Sequence, residues 1–244
     1  MKVKGKFTPV LMGSFLLVLV LVGTNAAAGF RTPFKVWPSF PGGLTAHYET
    51  TSGYPASYYA SPSNGELYGR VGVFGNQPYR WGYAICALEY EFTATQNKIV
   101  WVDYDLDLEY YLSIGPAQVQ WIIWPFLSIV HPSRAWVQIF VELVDLDYSP
   151  YSDLKVIHNY AIENKKSSQT APKTYEMNAD QYMGSTTFYF NTVSGHDYRF
   201  RLYFKVDAGA GSTSYRNSWG HVWRSTYDSS AARVKINSLV LSYG

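Results

Sequence analysis

The chain has a single cysteine, Cys86, so no intramolecular disulfide can hold its fold. It also has no Asn-x-Ser/Thr site for N-glycosylation. Cys86 lies in an apolar stretch, residues 83–88, which indicates a buried and unreactive thiol rather than a nucleophile. The hydrophobic core alone must therefore stabilise the protein.

Helix patterns are also missing from the sequence. No segment of roughly 11 or more residues keeps an apolar period of 3.6 between capping residues. Short aromatic and β-branched segments separated by turn residues occur instead, which predicts an all-β fold, an antiparallel two-sheet β-sandwich of jelly-roll type. The predicted strands are 67–74, 81–94, 98–113, 117–124, 134–147, 153–161, 173–178, 185–191, 197–207 and 232–243.

Motifs of known catalytic or metal chemistry are absent. None of the five histidines is spaced i, i+2 or i, i+4 from another, so no preformed zinc motif exists. There is no Gly-x-Ser-x-Gly elbow, no His-Glu-x-x-His pair and no Gly-rich phosphate loop. The sequence therefore favours a non-catalytic protein over an enzyme and implies no organic cofactor.

The chain has no excess of positive charge when residues 1–28 are left out of the count. Residues 1–28 have three lysines, an apolar run from Val10 to Gly23 and a small-residue end, Ala26 to Ala28, as in a cleaved export signal. An uncleaved membrane anchor is the alternative. The remaining chain carries 17 basic and 18 acidic residues, a net charge of −1. This balance excludes nucleic acid as a partner, and the export signal predicts a secreted protein.

Proline and tyrosine dominate the segment that follows the export signal. Residues 29–66 contain five of the 12 prolines, which indicates a lead-in segment with one strand near 44–50, or a spacer. The pattern of short strands begins at Leu67. We therefore predict one β-sandwich domain over residues 67–244.

Two segments alternate so regularly that their faces can be assigned. In 101–111, Asp103, Asp105, Asp107 and Glu109 alternate with apolar residues, and in 197–207 Arg199, Arg201 and Lys205 share the outer side. Complementary charges on neighbouring strands are favourable by about 0.2–1 kcal/mol per pair. We therefore predict that the two strands lie in one sheet, with Tyr104, Leu106, Phe200 and Leu202 buried.

A long stretch rich in small residues, 207–232, also contains aromatic residues, which favour an ordered functional loop. In an extended conformation Trp219, His221 and Trp223 lie on one side and form an aromatic platform. Such a platform suits a sugar ring or another protein, whereas the alternative is that both tryptophans cover the core. The predicted ligand-binding residues are Tyr215, Trp219, His221, Trp223 and Arg224.

Three aspartates bracket a turn at residues 148–152. Carboxylates that converge in a turn can bind calcium through oxygen, so Asp145, Asp147 and Asp153 are the predicted metal ligands, with ordinary turn chemistry as the alternative.

The most apolar run after the export signal is 121–130, which Pro125 interrupts. A buried strand explains it. The alternative is an exposed loop that touches a membrane or seals an oligomer through Trp121, Trp124 and Phe126.

These features favour a secreted, non-catalytic β-sandwich protein that acts at the cell surface or outside the cell. Its aromatic surfaces fit a carbohydrate or an extracellular protein as partner. A secreted jelly-roll carbohydrate-active enzyme is the first alternative, and it requires two carboxylates in an aromatic cleft. A membrane-associating or self-assembling surface protein is the second.

Overall fold

The computed structural model describes residues 31–37, 45–50, 56–75, 80–123, 127–148, 151–166, 169, 171–210, 218–224 and 230–244. This part of the chain forms β-strands and turns, without a helix. No helix within it is long and apolar enough to cross a membrane. The strands are β1 (Thr32–Val36), β2 (Thr45–Thr50), β3 (Ala56–Ser61), β4 (Glu66–Gly75), β5 (Arg80–Thr93), β6 (Ile99–Ile114), β7 (Gln118–Ile123), β8 (Leu127–His131), β9 (Ser133–Asp145), β10 (Ser152–Asn164), β11 (Lys173–Asn191), β12 (Asp197–Ala210), β13 (Ser218–Trp223) and β14 (Ala232–Tyr243).

The strands form two large antiparallel sheets and one separate hairpin. The seven-stranded sheet has the order β1-β14-β4-β13-β6-β11, with β3 paired to the far side of β4. The five-stranded sheet has the order β10-β9-β12-β5-β2, and β7 pairs only with β8. The predicted fold class, an antiparallel two-sheet β-sandwich, is confirmed.

The core lies between the apolar faces of the two sheets. In β9 every second residue from Ser133 to Asp145 is buried, and the residues between them are half-buried on the outside. The same alternation in β6 and β12 buries Leu106, Phe200 and Leu202 and leaves Tyr104 half-buried. Cys86 is fully buried, and burial raises the pKa of its thiol to about 12, in keeping with the unreactive cysteine that the sequence predicts.

The two strands with complementary charges lie in opposite sheets, so the prediction that they share one sheet is wrong. β6 belongs to the seven-stranded sheet and β12 to the five-stranded sheet. Each finds its polar partners within its own sheet: Asp105 accepts from Gln181 at 2.9 Å, and Arg199 donates to Glu91 at 2.8 Å. Their apolar faces meet across the core, where burial outweighs surface charge pairing.

Further differences concern element boundaries. The segment before residue 67 supplies three strands, β1, β2 and β3, where one was predicted. The strands predicted at 173–178 and 185–191 are one strand, β11, with an irregularity between Met177 and Asp180, where Ala179 has φ of 54°. The run around Trp121 forms the β7–β8 hairpin, while Trp124 and Phe126 lie outside the described residues.

The 26-residue loop predicted at 207–232 is wrong, because β12 extends to Ala210 and β13 occupies Ser218–Trp223. β13 and the start of β14 lie one after the other between β4 and β6, and both are antiparallel to these neighbours. β13 ends at Trp223 and β14 begins at Ala232. Between them the Arg224 amide donates to the Ser230 carbonyl at 2.9 Å.

Candidate functional site

The predicted aromatic platform lies on the outer side of β13, in the middle of the seven-stranded sheet. Val222 faces the core, while the rings of His221 and Trp223 stack on the opposite side, with centroids 4.5 Å apart and planes 11° apart. Trp219 Nε1 donates to Ser113 Oγ of β6 at 3.3 Å. Tyr215, the remaining aromatic residue of the predicted site, lies outside the described residues.

The exposure of this platform is low. His221 is 5% exposed, and Trp219 and Trp223 are half-buried. Trp219 and Trp223 therefore offer only part of their rings to a ligand, and His221 lies beneath the surface.

An ionic network lies beside the platform. Arg224 Nε is 2.8 Å from Glu109 Oε1, and Arg233 joins Glu109 at 3.1 Å and Glu66 at 3.4 Å. Tyr68 also donates to Glu66, at 2.7 Å. Both carboxylates near the platform are therefore engaged by guanidinium groups.

Burial lowers the pKa of His221 to about 4, and the charge of Arg70 adds to the shift. The unfolded histidine takes up a proton near pH 6.5, so the unfolded state binds more protons between pH 6.5 and about 4. We expect the free energy of unfolding to fall by about 3 kcal/mol as the pH drops through this window. Burial also lowers the pKa of His158, so this residue adds to the loss of stability. Burial raises the pKa of Asp207, which therefore opposes the loss at the acid end of the window.

Urea unfolding at pH 7 and at about pH 4.5 measures this effect. The variant His221→Gln cannot titrate, so its stability should change less between the two pH values. An equal change in the variant and in the unaltered protein would show that His221 does not cause the loss.

The three predicted metal ligands do not converge. Oxygen atoms of Asp145 and Asp147 and a ring nitrogen of His196 lie within 4.8 Å of one another, but Asp153 is absent from this group. Asp153 instead accepts from the Tyr189 amide at 2.7 Å and pairs with Lys155 at 3.0 Å.

Hydrogen bonds occupy the carboxylate of Asp145. It accepts from the amides of Asp147 and Tyr148 at 3.0 Å, from Tyr198 Oη at 3.0 Å and from His196 Nδ1 at 3.2 Å. These four donors use the acceptor positions that a carboxylate offers. Asp145 therefore acts as the turn-forming aspartate that the sequence analysis names as the alternative.

A second aromatic surface, which the sequence analysis does not identify, lies on the outside of the five-stranded sheet. We call it the aromatic face, and its rings are Trp81, Tyr83, Trp136, Phe140 and Tyr203. Each comes from the side of β5, β9 or β12 that alternates with core residues, so the pleat of three adjacent strands directs them outward. Trp81 is 37% exposed, and the other four are half-buried.

The two tryptophans of the aromatic face are held by hydrogen bonds through their indole nitrogens. Trp81 Nε1 donates to Asp207 Oδ2 at 2.8 Å, and Trp136 Nε1 donates to Asn159 Oδ1. Arg134 pairs with Asp207 at 2.9 Å, and its guanidinium lies 5.6 Å from the Trp136 ring. The hydrogen bonds lie at the ring edges, while Arg134 covers one side of the Trp136 ring and Tyr83 packs against Trp81 with centroids 5.0 Å apart.

Asp207 is the buried centre of this arrangement, with 2% of its surface exposed. Burial raises the pKa of its carboxyl, and the charge of Arg134 and the hydrogen bond from Trp81 counter the shift. Its role on the aromatic face is to fix Trp81 and Arg134.

The strand register orders the remaining side chains into rows. Trp136, Asp207 and Tyr83 are direct neighbours across β9, β12 and β5, so the backbone positions of Trp136 and Tyr83 lie roughly 10 Å apart. Gln138 and Lys205 form the next row, with the Lys205 ammonium 5.3 Å from the Tyr83 ring.

Beyond this row, Phe140 and Tyr203 stack with centroids 4.6 Å apart. Arg201 then pairs with Glu89 and Glu142 and ends the aromatic face. The alternation of Arg134, Trp136, Gln138, Phe140 and Glu142 is visible in the sequence, but it does not show which strand brings Trp81 and Asp207 alongside.

Comparisons of the chain with known proteins found matches among solved structures. No family model matches it. No curated protein matches it either. A structure of TmCBM61 in complex with β-1,4-galactotriose is 10% identical, with 79% of this chain and 90% of that chain covered and a TM-score of 0.22.

Two further solved structures give similar values. A family 11 carbohydrate-binding module from Clostridium thermocellum, in complex with a β-1,3-1,4-mixed-linked tetrasaccharide, is 11% identical, with 84% and 96% covered and a TM-score of 0.25. The enzymatically active domain of bacteriophage CBA120 tailspike protein 4 is 8% identical, with 79% of this chain and 19% of that chain covered and a TM-score of 0.18.

Proposed function

We propose that this protein is an exported, non-catalytic carbohydrate-binding β-sandwich, and that it binds a saccharide chain on the aromatic face. The observation that carries the proposal is the pair Trp81 and Trp136, whose indole edges are fixed by Asp207 and Asn159 while their rings stay partly exposed. Export rests on the signal-like residues 1–28. N-terminal sequencing of the exported protein should find Gly29 first, and Met1 would indicate an uncleaved anchor.

The chemistry of the aromatic face suits a neutral sugar. An aromatic ring combines apolar area with a negatively polarised flat side, to which the C–H side of a pyranose ring is complementary. Gln138, Lys205 and Asn159 stand around the rings and offer both donors and acceptors for hydroxyl groups. Tyr83 and Trp136, roughly 10 Å apart across the row, are spaced for more than one sugar unit. The proposed ligand is therefore an oligosaccharide or polysaccharide rather than a monosaccharide.

The placement of carboxylates on the aromatic face favours binding over hydrolysis. A glycosidase needs two carboxyl groups about 5–9.5 Å apart. Among the described side chains, Asp207 is paired with Arg134. Glu89 and Glu142 are both paired with Arg201. Arg201 lies six residues from Asp207 along β12, which is roughly 20 Å. Asp207 therefore has neither of them as a second carboxylate at catalytic distance. Glu89 and Glu142 lie close to each other, but both contact the Arg201 guanidinium, and Glu142 also accepts from Tyr203 Oη at 2.8 Å, so both carboxylates are already engaged.

The platform on β13 is the second surface on which a ligand could bind. Trp219 and Trp223 keep part of their rings accessible, and Arg224 lies beside them. The buried His221 makes this platform the weaker of the two surfaces, for a saccharide or for a protein partner, because the aromatic face has the exposed Trp81 instead.

A glycan array of the mature protein, followed by calorimetric titration of the strongest oligosaccharide, tests the proposed function. We expect binding of β-linked or α-linked chains that improves with chain length, because several rings contribute. Absence of binding across neutral plant, fungal and bacterial polysaccharides would contradict the proposal.

A further inference from the structure

An aromatic pocket lies at the end of the sandwich where the turn after β9 meets the end of β11. Its volume is about 420 Å³, and it is independent of both aromatic surfaces described above. The lining residues are Asp145, Tyr148, Tyr151, Phe190, Asn191, Val193 and His196.

Three rings form the walls of this pocket at steep angles to one another. Tyr148 and Tyr151 have centroids 6.1 Å apart and planes 61° apart, and Tyr151 and Phe190 are 5.2 Å and 78° apart. Tyr148 and Tyr151 are 65% and 45% exposed, whereas Phe190 is 8% exposed and forms the inner wall. A ligand in the corner between these rings meets the flat sides of some and the edges of others.

Negative charge surrounds the same corner. Asp145 lines the pocket, Asp147 lies beside it, and Asp147 Oδ2 accepts from the Asp197 amide at 2.6 Å. Among the described residues, no lysine or arginine nitrogen lies within 4.0 Å of the carboxylates of Asp145 and Asp147, and the ion-pair partner of Asp145 is His196. Burial alone would raise the pKa of Asp145, but hydrogen bonds from His196 and Tyr198 lower it, so the carboxylate stays ionised at neutral pH.

The occupant that this combination suits is an organic cation rather than a metal ion. A metal needs free oxygen ligands, and the four donors to Asp145 already occupy its acceptor positions. An alkylated ammonium group needs no coordinating atom, because aromatic ring faces and nearby negative charge attract it.

We propose that the pocket formed by Tyr148, Tyr151 and Phe190 binds a trimethylammonium group. Choline and a trimethyllysine side chain both carry this group, and each is small enough to enter the pocket. The pocket shares no residue with the aromatic face, so it can bind this group whether or not the protein binds a saccharide.

Titration of the full mature chain with choline, with free trimethyllysine and with the neutral isostere 3,3-dimethylbutan-1-ol, followed by NMR, tests the proposal. We expect dissociation constants in the millimolar range for at least one cation and binding of the neutral isostere at least about tenfold weaker. The stronger of the two cations identifies the source of the group. Equal binding of the neutral isostere, or no binding of either cation, would overturn the proposal.

Point variants test whether the cation binds in this pocket or elsewhere on the protein. Tyr151→Ala should weaken the binding of the cation about tenfold, while Tyr151→Phe, which keeps the ring, should bind as the unaltered protein does. Asp147→Asn should weaken binding several-fold because it removes one charge. Tyr59→Ala is the matched control, since Tyr59 is 57% exposed, lies in β3 and does not line the pocket. Unchanged affinity in both Tyr151→Ala and Asp147→Asn would place the cation elsewhere.

Discussion

Replacing both Trp81 and Trp136 by alanine is expected to lower the affinity for the saccharide by about 100-fold or more, while the protein stays folded. Each ring is a partly exposed aromatic anchor, and loss of such an anchor commonly costs about 2 kcal/mol or more of binding free energy. Two such losses together correspond to more than two factors of ten in the dissociation constant. Isothermal titration with the oligosaccharide found in the array measures the change.

The double variant Trp219→Ala/Trp223→Ala is the matched control, because it removes the same side chains from the other sheet. We expect it to bind the saccharide nearly as well as the unaltered protein. The opposite result, with binding lost there and kept in the Trp81/Trp136 variant, would move the site to the platform on β13.

A folding defect could imitate loss of binding in the first variant, because Trp81 donates to the buried Asp207. The single variant Trp136→Ala avoids this problem, since the partner of Trp136 is the exposed Asn159. It should melt close to the unaltered protein and still bind at least about tenfold more weakly.

The variant Gly220→Ala is expected to destabilise the fold strongly. A Cβ atom at Gly220 would lie 2.4 Å from the Arg134 carbonyl oxygen and 2.8 Å from the Gly209 carbonyl oxygen. Both are backbone atoms of β9 and β12, so the two sheets must separate locally to admit a methyl group. We expect a loss at or above the upper end of about 1–3 kcal/mol, a fall in melting temperature of roughly 6–12 °C.

Gly72→Ala is the control for this prediction. Gly72 pairs with His221 in the same sheet, but its Cβ would meet the nearest atom, His221 Cδ2, at 3.4 Å, an ordinary contact. Its stability should change by less than about 1 kcal/mol. A melting temperature for Gly220→Ala as high as that of Gly72→Ala would show that the sheets are not in backbone contact at this point.

Local alternation is the part of this fold that the sequence predicts well. The apolar residues of β6 and β12 are correctly placed on the inside, because the period of two is a property of each strand by itself. The choice of sheet for these two strands is wrong, since strands of both sheets carry the same pattern of one apolar and one polar face. Nothing local distinguishes a neighbour within a sheet from a strand across the core.

β13 is a strand that local composition does not predict. Its surroundings are rich in glycine and serine, which favours a loop, but β4 and β6 supply hydrogen-bond partners on both sides and hold it as a strand. The alternation of Trp219, His221 and Trp223 is nevertheless correct, with His221 and Trp223 stacked. Their burial follows from the position of β13 in the centre of the sheet, which is a tertiary property.

Composition and the period of side chains along one strand are sufficient to predict an all-β sandwich without a disulfide, and to predict which side of most strands faces the core. The places where the aromatic residues meet follow from the tertiary structure alone. Trp81, Trp136 and Asp207 come from β5, β9 and β12, and they become neighbours only through the order and register of these strands. Register depends on how all the strands bury their apolar faces together, so no single segment contains that information.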